Sequence, residues 1–166
     1  MTLGLSLSAF TLLHVIISLA GLGSGFIVVW GFFNDKRLDG WTAIFLTTTV
    51  LTSVTGFMFP FEGFKPSYVV AALSLIVLAI AIFARYSRRM AGSWRGTYVI
   101  TAAIALYFNC FVAIVQAFLK IPALHELAPK GNEPPFLIAQ LLVLAIFVWL
   151  TYRAAKRFQP GLIRTV

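Results

Sequence analysis

The chain is short of charge, of acidic residues and of cysteine, and each shortage excludes something. Only 11% of its 166 residues are charged, against about 25% in soluble domains. With 60% hydrophobic residues and a mean hydropathy of +0.94, it fits neither an ordinary soluble domain nor a disordered chain. Its single cysteine, Cys110, allows no internal disulfide and no multi-cysteine metal or iron–sulfur site within one chain. Five acidic against 13 basic residues leave a net charge of +8. On so apolar a chain that balance reflects membrane topology and anionic lipid, not nucleic acid. The expected partner is the bilayer, and no nucleic acid is expected.

What the chain does have is long uncharged apolar runs. A helix crossing about 30 Å of hydrocarbon needs about 20 such residues. Five runs qualify, at 9–33, 41–59, 68–84, 97–119 and 136–152, with every Asp, Glu, Lys and Arg between or beyond them. No internal repeat, low-complexity tract or long linker divides the chain, so one integral membrane domain over 1–166 is expected. The fold class is all-α, a polytopic bundle of five transmembrane helices.

Basic residues set the direction of the spans. One side of the membrane receives ten, namely Lys36, Arg37, Arg85, Arg88, Arg89, Arg95, Arg153, Lys156, Arg157 and Arg164, and the other receives Lys65, Lys120 and Lys130. The positive-inside rule then places the N-terminus outside and the C-terminus in the cytoplasm, as an odd number of spans requires. Trp30, Trp41, Trp94 and Trp149 all fall at the cytoplasmic ends, where amphipathic indoles suit the interface. The first run lacks a basic leader and an Ala-x-Ala-like site, so it is expected to be a helix and not a cleaved signal peptide. On the outer face, Phe57 to Pro66 clusters phenylalanines around Pro60, and Lys120 to Pro135 is punctuated by proline with a turn expected through Ala123 to Leu127. Glu133-Pro134-Pro135 is a good start for the last helix.

Polar groups inside spans are costly and often functional. His14, Gln116 and Gln140 lie at one level of the outer leaflet, with Asn109 near the middle of its span and Thr52 and Thr55 on the outer half of theirs. Helical spacing gathers His14, Ser18, Gly21 and Gly25 on one stripe. A second stripe carries Ala102, Ala105, Asn109, Ala113, Gln116 and Lys120, and a third carries Thr48, Thr52 and Thr55. Small residues let helices approach closely, so packing alone accounts for these faces. The functional alternative is an outward-facing polar cavity with candidate ligand-binding residues His14, Ser18, Thr52, Thr55, Asn109, Gln116 and Gln140. Arg85, Arg88, Arg89 and Arg95 are candidates for anionic lipid head groups, although as topology determinants they are already explained.

No catalytic set emerges. Ser18, Ser53, Ser74 and Cys110 lack a nucleophile motif, and no span holds an acid to orient His14. No metal-ligand spacing involves His14, His125, Glu62, Glu126 or Glu133. A haem held by two histidines would need a partner for His14 at similar depth, and His125 is in a loop. A quinone fits the neutral donors and acceptors better. The run Gln116-Ala117-Phe118-Leu119-Lys120-Ile121-Pro122-Ala123-Leu124, with Glu133-Pro134-Pro135-Phe136 and Gln140 after it, resembles a pattern in small uncharacterised bacterial inner-membrane proteins. That resemblance covers mainly the C-terminal half and implies a location and a size class, with no catalytic residue. The sequence therefore points to a non-enzymatic membrane protein, a subunit of a homo-oligomer or larger membrane complex with an outward pocket for a small or lipophilic ligand. The alternatives are a redox protein using quinone or haem as cofactor, and a passive channel or transporter.

Overall fold

A computed structural model describes residues 4, 6–59 and 66–159. Every regular element among them is helical, in the order α1 (Leu7–Phe33), α2 (Asp39–Phe57), α3 (Pro66–Ile82), α4 (Trp94–Lys120), α5 (Pro122–Leu127) and α6 (Pro134–Arg157). A π-helical turn, Phe83–Ser87, prolongs α3. The five long helices lie within a few residues of the expected runs, and the turn expected near Ala123 is α5. The phenylalanine-rich loop falls largely outside the described residues, as do Lys65 and Arg164.

The boundaries follow local chemistry. Ser6 caps α1 by accepting the Ala9 amide at 3.3 Å, which satisfies one of the free N–H groups of the first turn. Pro122 and Pro134 open α5 and α6, where a missing N–H costs nothing. Glu133 caps α6 differently from the expectation. Its carboxylate turns back to accept the Lys130 and Asn132 amides, both at 3.0 Å, and so braces the preceding loop.

Four helices are long and apolar enough to cross a membrane: Leu7–Phe33, Ser67–Ser87, Trp94–Lys120 and Pro134–Arg157. Their composition suggests a membrane protein. The other long helix, α2, has 19 residues and carries six threonines and Ser53, whose hydroxyls lower its hydropathy below that of its neighbours.

Helix α4 stands at the centre, packed against α1, α3, α5 and α6, while α2 lies against α1 and α3. The best-filled part of the core is at the end where α1 and α6 finish and α2 and α4 begin. There Phe32, Phe45, Tyr98, Leu106 and Phe158 are each 1% exposed or less, and the Phe32 ring meets Tyr98 edge-on at 5.5 Å and Phe158 at 5.0 Å. Gly25 permits this density. A Cβ there would lie 2.5 Å from Leu106 Cδ1 and 2.9 Å from Phe45 Cε2. In lipid, where apolar burial drives little, such close van der Waals fit is what holds helices together.

The same end carries the basic residues, and one of them departs from expectation. Arg85, on the π turn, is 3% exposed. It donates to Asp39 and to the Arg37 carbonyl at 3.1 Å, lies 3.6 Å from Met90 sulfur, and its guanidinium sits 5.0 Å from the Tyr98 ring. It is thus turned inward as a fastener between α3, α2 and α4, and it is withdrawn from the head-group cluster in which the sequence placed it. The spacing rule could not show this, because a π turn shifts the side chain off its α-helical bearing. Arg88 and Arg89 remain exposed and Arg95 is half-buried. Arg88 covers Trp94 at 5.2 Å, Lys36 covers Trp30 at 5.1 Å and Arg153 covers Trp149 at 5.8 Å, so indoles and cations share this level.

Candidate functional site

Among the described residues, the opposite end of the bundle is open. Between the halves of α1, α2, α3 and α4 nearest His14 lies a cavity of about 520 Å³, within the range of small-molecule sites. His14 and Ser18 enter from α1, Thr52 and Ser53 from α2, Ser74 from α3, and Asn109, Gln116 and Lys120 from α4. Of the seven residues expected to bind a ligand, five line this space: His14, Ser18, Thr52, Asn109 and Gln116. Thr55 stands one contact behind them, its Oγ1 2.7 Å from His14 Nδ1. Gln140 is elsewhere. It lies on the α4–α6 seam, buried, donating to the Phe111 carbonyl at 3.2 Å, because α6 packs on a face of α4 that does not border the cavity. Matching depth put Gln140 level with His14, but depth says nothing of direction around α4.

The stripes of small and polar residues divide by depth. At Gly21, a Cβ would meet Thr48 and Thr49 hydroxyls at 3.3 Å and the Asn109 amide nitrogen at 3.4 Å. That close approach lets Asn109 Nδ2 donate to Thr49 Oγ1 at 3.1 Å across α1. Gly21 and Gly25 therefore pack helices, while His14 and Ser18, on the same stripe, face open space.

The hydrogen bonds fix what the lining still offers. The Thr55 hydroxyl lies 2.7 Å from the Leu51 carbonyl, to which it donates, and 2.7 Å from His14 Nδ1, which ties the imidazole to α2. Phe59 supports the ring edge-on at 5.2 Å. Most helix hydroxyls here bond back to a carbonyl one turn earlier, as Thr11, Ser18 and Ser53 do at 2.8, 2.7 and 3.0 Å. Thr52 and Ser74 do not. Both line the cavity, and both hydroxyls are buried with no hydrogen-bond partner among the described residues. Ser74 is only 3% exposed. Buried hydroxyls are almost always paired, and an unpaired one costs about 1–3 kcal/mol.

Among the described residues no carboxylate lines the cavity, and Lys120 is the one cation there. At about 1.5 Å per residue, Lys120 at the rim lies roughly 16 Å along α4 from Asn109 at the floor. His14 is the one imidazole in the lining. His125, on α5, donates from Nδ1 to the Phe118 carbonyl at 3.3 Å and does not border the cavity. A haem with two histidine ligands from one chain therefore lacks its second ligand at this site. Among the described residues no cluster of three metal-ligating side chains occurs.

The contribution of α3 was missed in the sequence. Ser67, Ala71 and Ser74 recur at helical spacing and line the cavity with Tyr68. They form a small-polar stripe of the same kind as the other three, and the rule that found those would have found this one. Comparison with protein-family models, curated proteins and solved structures finds no match.

Proposed function

We propose that this chain is a non-enzymatic protein of the bacterial inner membrane that binds a small or lipophilic ligand in the cavity between α1, α2, α3 and α4. It works as a subunit of an oligomer or larger membrane complex, with the apolar face of α6 open to lipid or to a neighbouring subunit. The observation that carries this reading is the pair of unpartnered hydroxyls, Thr52 and Ser74, on the wall of a 520 Å³ space. A surface meant only to pack helices would fill that space or turn those hydroxyls back onto their own carbonyls.

The proposal includes five spans, with α2 as the fifth, the N-terminus outside and the C-terminus cytoplasmic. Support for α2 as a span comes from its place between α1 and α3, where its hydroxyls, apart from that of the exposed Thr47, are turned toward protein. Support for the direction comes from the ten-to-three division of basic residues and from the indoles paired with cations at one end. The cavity then opens to the outside. A passive channel is the weaker reading, because the packing around Gly25, Phe45 and Leu106 closes the inner half. A quinone remains a member of the proposed ligand class, since it needs no ionised partner.

The test is mass spectrometry of the lipid extract, with an absorption spectrum, of protein purified in mild detergent beside a Thr52→Val/Ser74→Ala variant. A small molecule retained by the wild type and depleted at least fivefold in the variant is the expected result. Identical extracts from the two proteins would refute the proposal.

A further inference from the structure

The cavity has a second way in. Its outer rim, at Leu7, Ser67, Gln116 and Lys120, is lined by exposed side chains, as a mouth must be. Two further lining residues are exposed, Val15 at 37% and Leu19 at 60%, and both belong to α1. At about 1.5 Å per residue, Leu19 lies roughly 18 Å along α1 from Leu7, far below the rim. Every other lining residue below the rim, on all four helices, is buried or half-buried. A side chain that borders the cavity and is also open to the surroundings at mid-helix marks an opening in the wall.

The opening follows one seam. At about 100° per residue, Val15 and Leu19 stand roughly 100° and 140° round α1 from His14, on the flank turned away from α2, where α1's neighbour is α4. The other three seams are closed. His14 meets Thr55 across α1 and α2, and Gly21 lies against Thr48 and Thr49; Ser53 is 5% exposed beside α3, where the Phe57 and Tyr68 rings stack at 5.8 Å; Ser74 and Leu78, at 3% and 1%, close α3 on α4. Between α1 and α4 the approaches of Gly25 to Leu106 and of Gly21 to Asn109 run antiparallel, which puts Ala113 level with Ser18. Both line the cavity, and both are too short to close the seam that Leu106 closes at Gly25. The sill left there is apolar, formed by Val15, Leu19 and Leu22, so a lipophilic guest crosses it freely while a hydrated one must shed its water. With this half in the outer leaflet, as proposed above, the opening faces acyl chains. We propose that the cavity is loaded sideways from the outer leaflet, between α1 and α4, by a lipophilic molecule dissolved in the bilayer.

This inference rests on the ligand-binding reading above, and its test separates the two. The native tryptophans, Trp30, Trp41, Trp94 and Trp149, lie toward the opposite end, so an indole added to the cavity wall reports by itself as a difference from wild type. Ala71→Trp on α3 and Val112→Trp on α4, both at lining positions, are placed in lipid nanodiscs beside wild type and Ile138→Trp, a position 63% exposed on α6. The added fluorescence is quenched with 1-bromododecane, which dissolves in the bilayer, and with iodide, which stays in water. The expected result is that 1-bromododecane quenches both cavity tryptophans to within about twofold of Ile138→Trp, and that Ala113→Phe lowers this at least threefold for the cavity positions and leaves Ile138→Trp unchanged. Quenching of the cavity tryptophans by iodide alone would overturn the sideways route and leave the cavity as a ligand site filled from water. Quenching by 1-bromododecane that Ala113→Phe does not reduce would overturn the α1–α4 seam as the route. Protection of both cavity tryptophans from both quenchers would overturn the inference and count against the ligand-binding reading as well.

Discussion

Arg85 is the side chain whose environment most directly predicts a measurable energy. Its guanidinium is 3% exposed, whereas the Asp39 side chain that receives it is 73% exposed and also lies 3.6 Å from Arg37. A hydrogen bond to a charged partner contributes about 1.5–3 kcal/mol. Solvent around Asp39 screens the pair, which brings the expected loss in Asp39→Asn to about 1–2 kcal/mol. Arg85 keeps the Arg37 carbonyl and the Tyr98 face in that variant, so the chain still folds. For a protein of this size the loss corresponds to a fall in Tm of about 2–8 °C, read by tryptophan fluorescence during thermal unfolding in mild detergent. Removing the buried charge should erase most of that dependence, since an isosteric apolar group leaves no desolvated cation to compensate. In the Arg85→Met background, Asp39→Asn should cost under about 0.5 kcal/mol. Equal costs in the two backgrounds would show that Asp39 acts through something other than Arg85 and would refute the fastener.

Two further outcomes follow from the same structure. Gly25→Ala places a methyl group 2.5 Å from Leu106 Cδ1 and 2.9 Å from Phe45 and should destabilise by about 1–3 kcal/mol, whereas Gly23→Ala, which meets nothing within 4 Å, should be near neutral; thermal unfolding of the two side by side checks this. At Glu133, desolvation is the largest single influence and opposes the charged form, but the backbone amides of Lys130, Glu133, Asn132 and Gly131 together outweigh it and hold the carboxyl below its ordinary pKa. A depressed folded-state pKa means the bracing is complete above the ordinary carboxylate range and is lost as pH falls through the lowered value. The Lys130 and Asn132 amide NMR shifts should titrate with a midpoint below 4.5, the ordinary value for this group, and Glu133→Gln should abolish that titration.

Helix positions were legible because lipid imposes length and apolarity on a span, and α1, α3, α4 and α6 carry both without interruption. The identity of the cavity's α1 and α4 walls was legible too, since His14, Ser18, Asn109 and Gln116 stand out against apolar neighbours and helical spacing puts each pair on one face. Two placements were not. Gln140 shares the depth of His14, but which face of α4 receives α6 is a property of the assembled bundle and leaves no trace in spacing. Arg85 looked like its neighbours Arg88 and Arg89 because a π turn cannot be read from FARYS; once the turn rotates it inward, it meets Asp39 and Tyr98, residues 46 and 13 positions away.

The stripe His14, Ser18, Gly21, Gly25 shows why packing and binding could not be separated by sequence pattern alone. Both require small or polar residues at helical spacing, and the difference lies in what stands opposite. At Gly25 the opposing side chains are Leu106 and Phe45, large enough to fill the gap a missing Cβ leaves. At His14 and Ser18 the opposing residues are Thr52, Ser74 and Ala113, and the helices do not close over the space between them. Three helices present short side chains to the same volume there, and a volume surrounded by short side chains stays open unless the backbones move together. The bulk lies at the other end, where Phe32 of α1, Phe45 of α2 and Tyr98 and Leu106 of α4 fill the space between the same helices. The open half thus adjoins a filled half, and the hydroxyls of Thr52 and Ser74, left unpaired within it, are what the proposed ligand reading rests on.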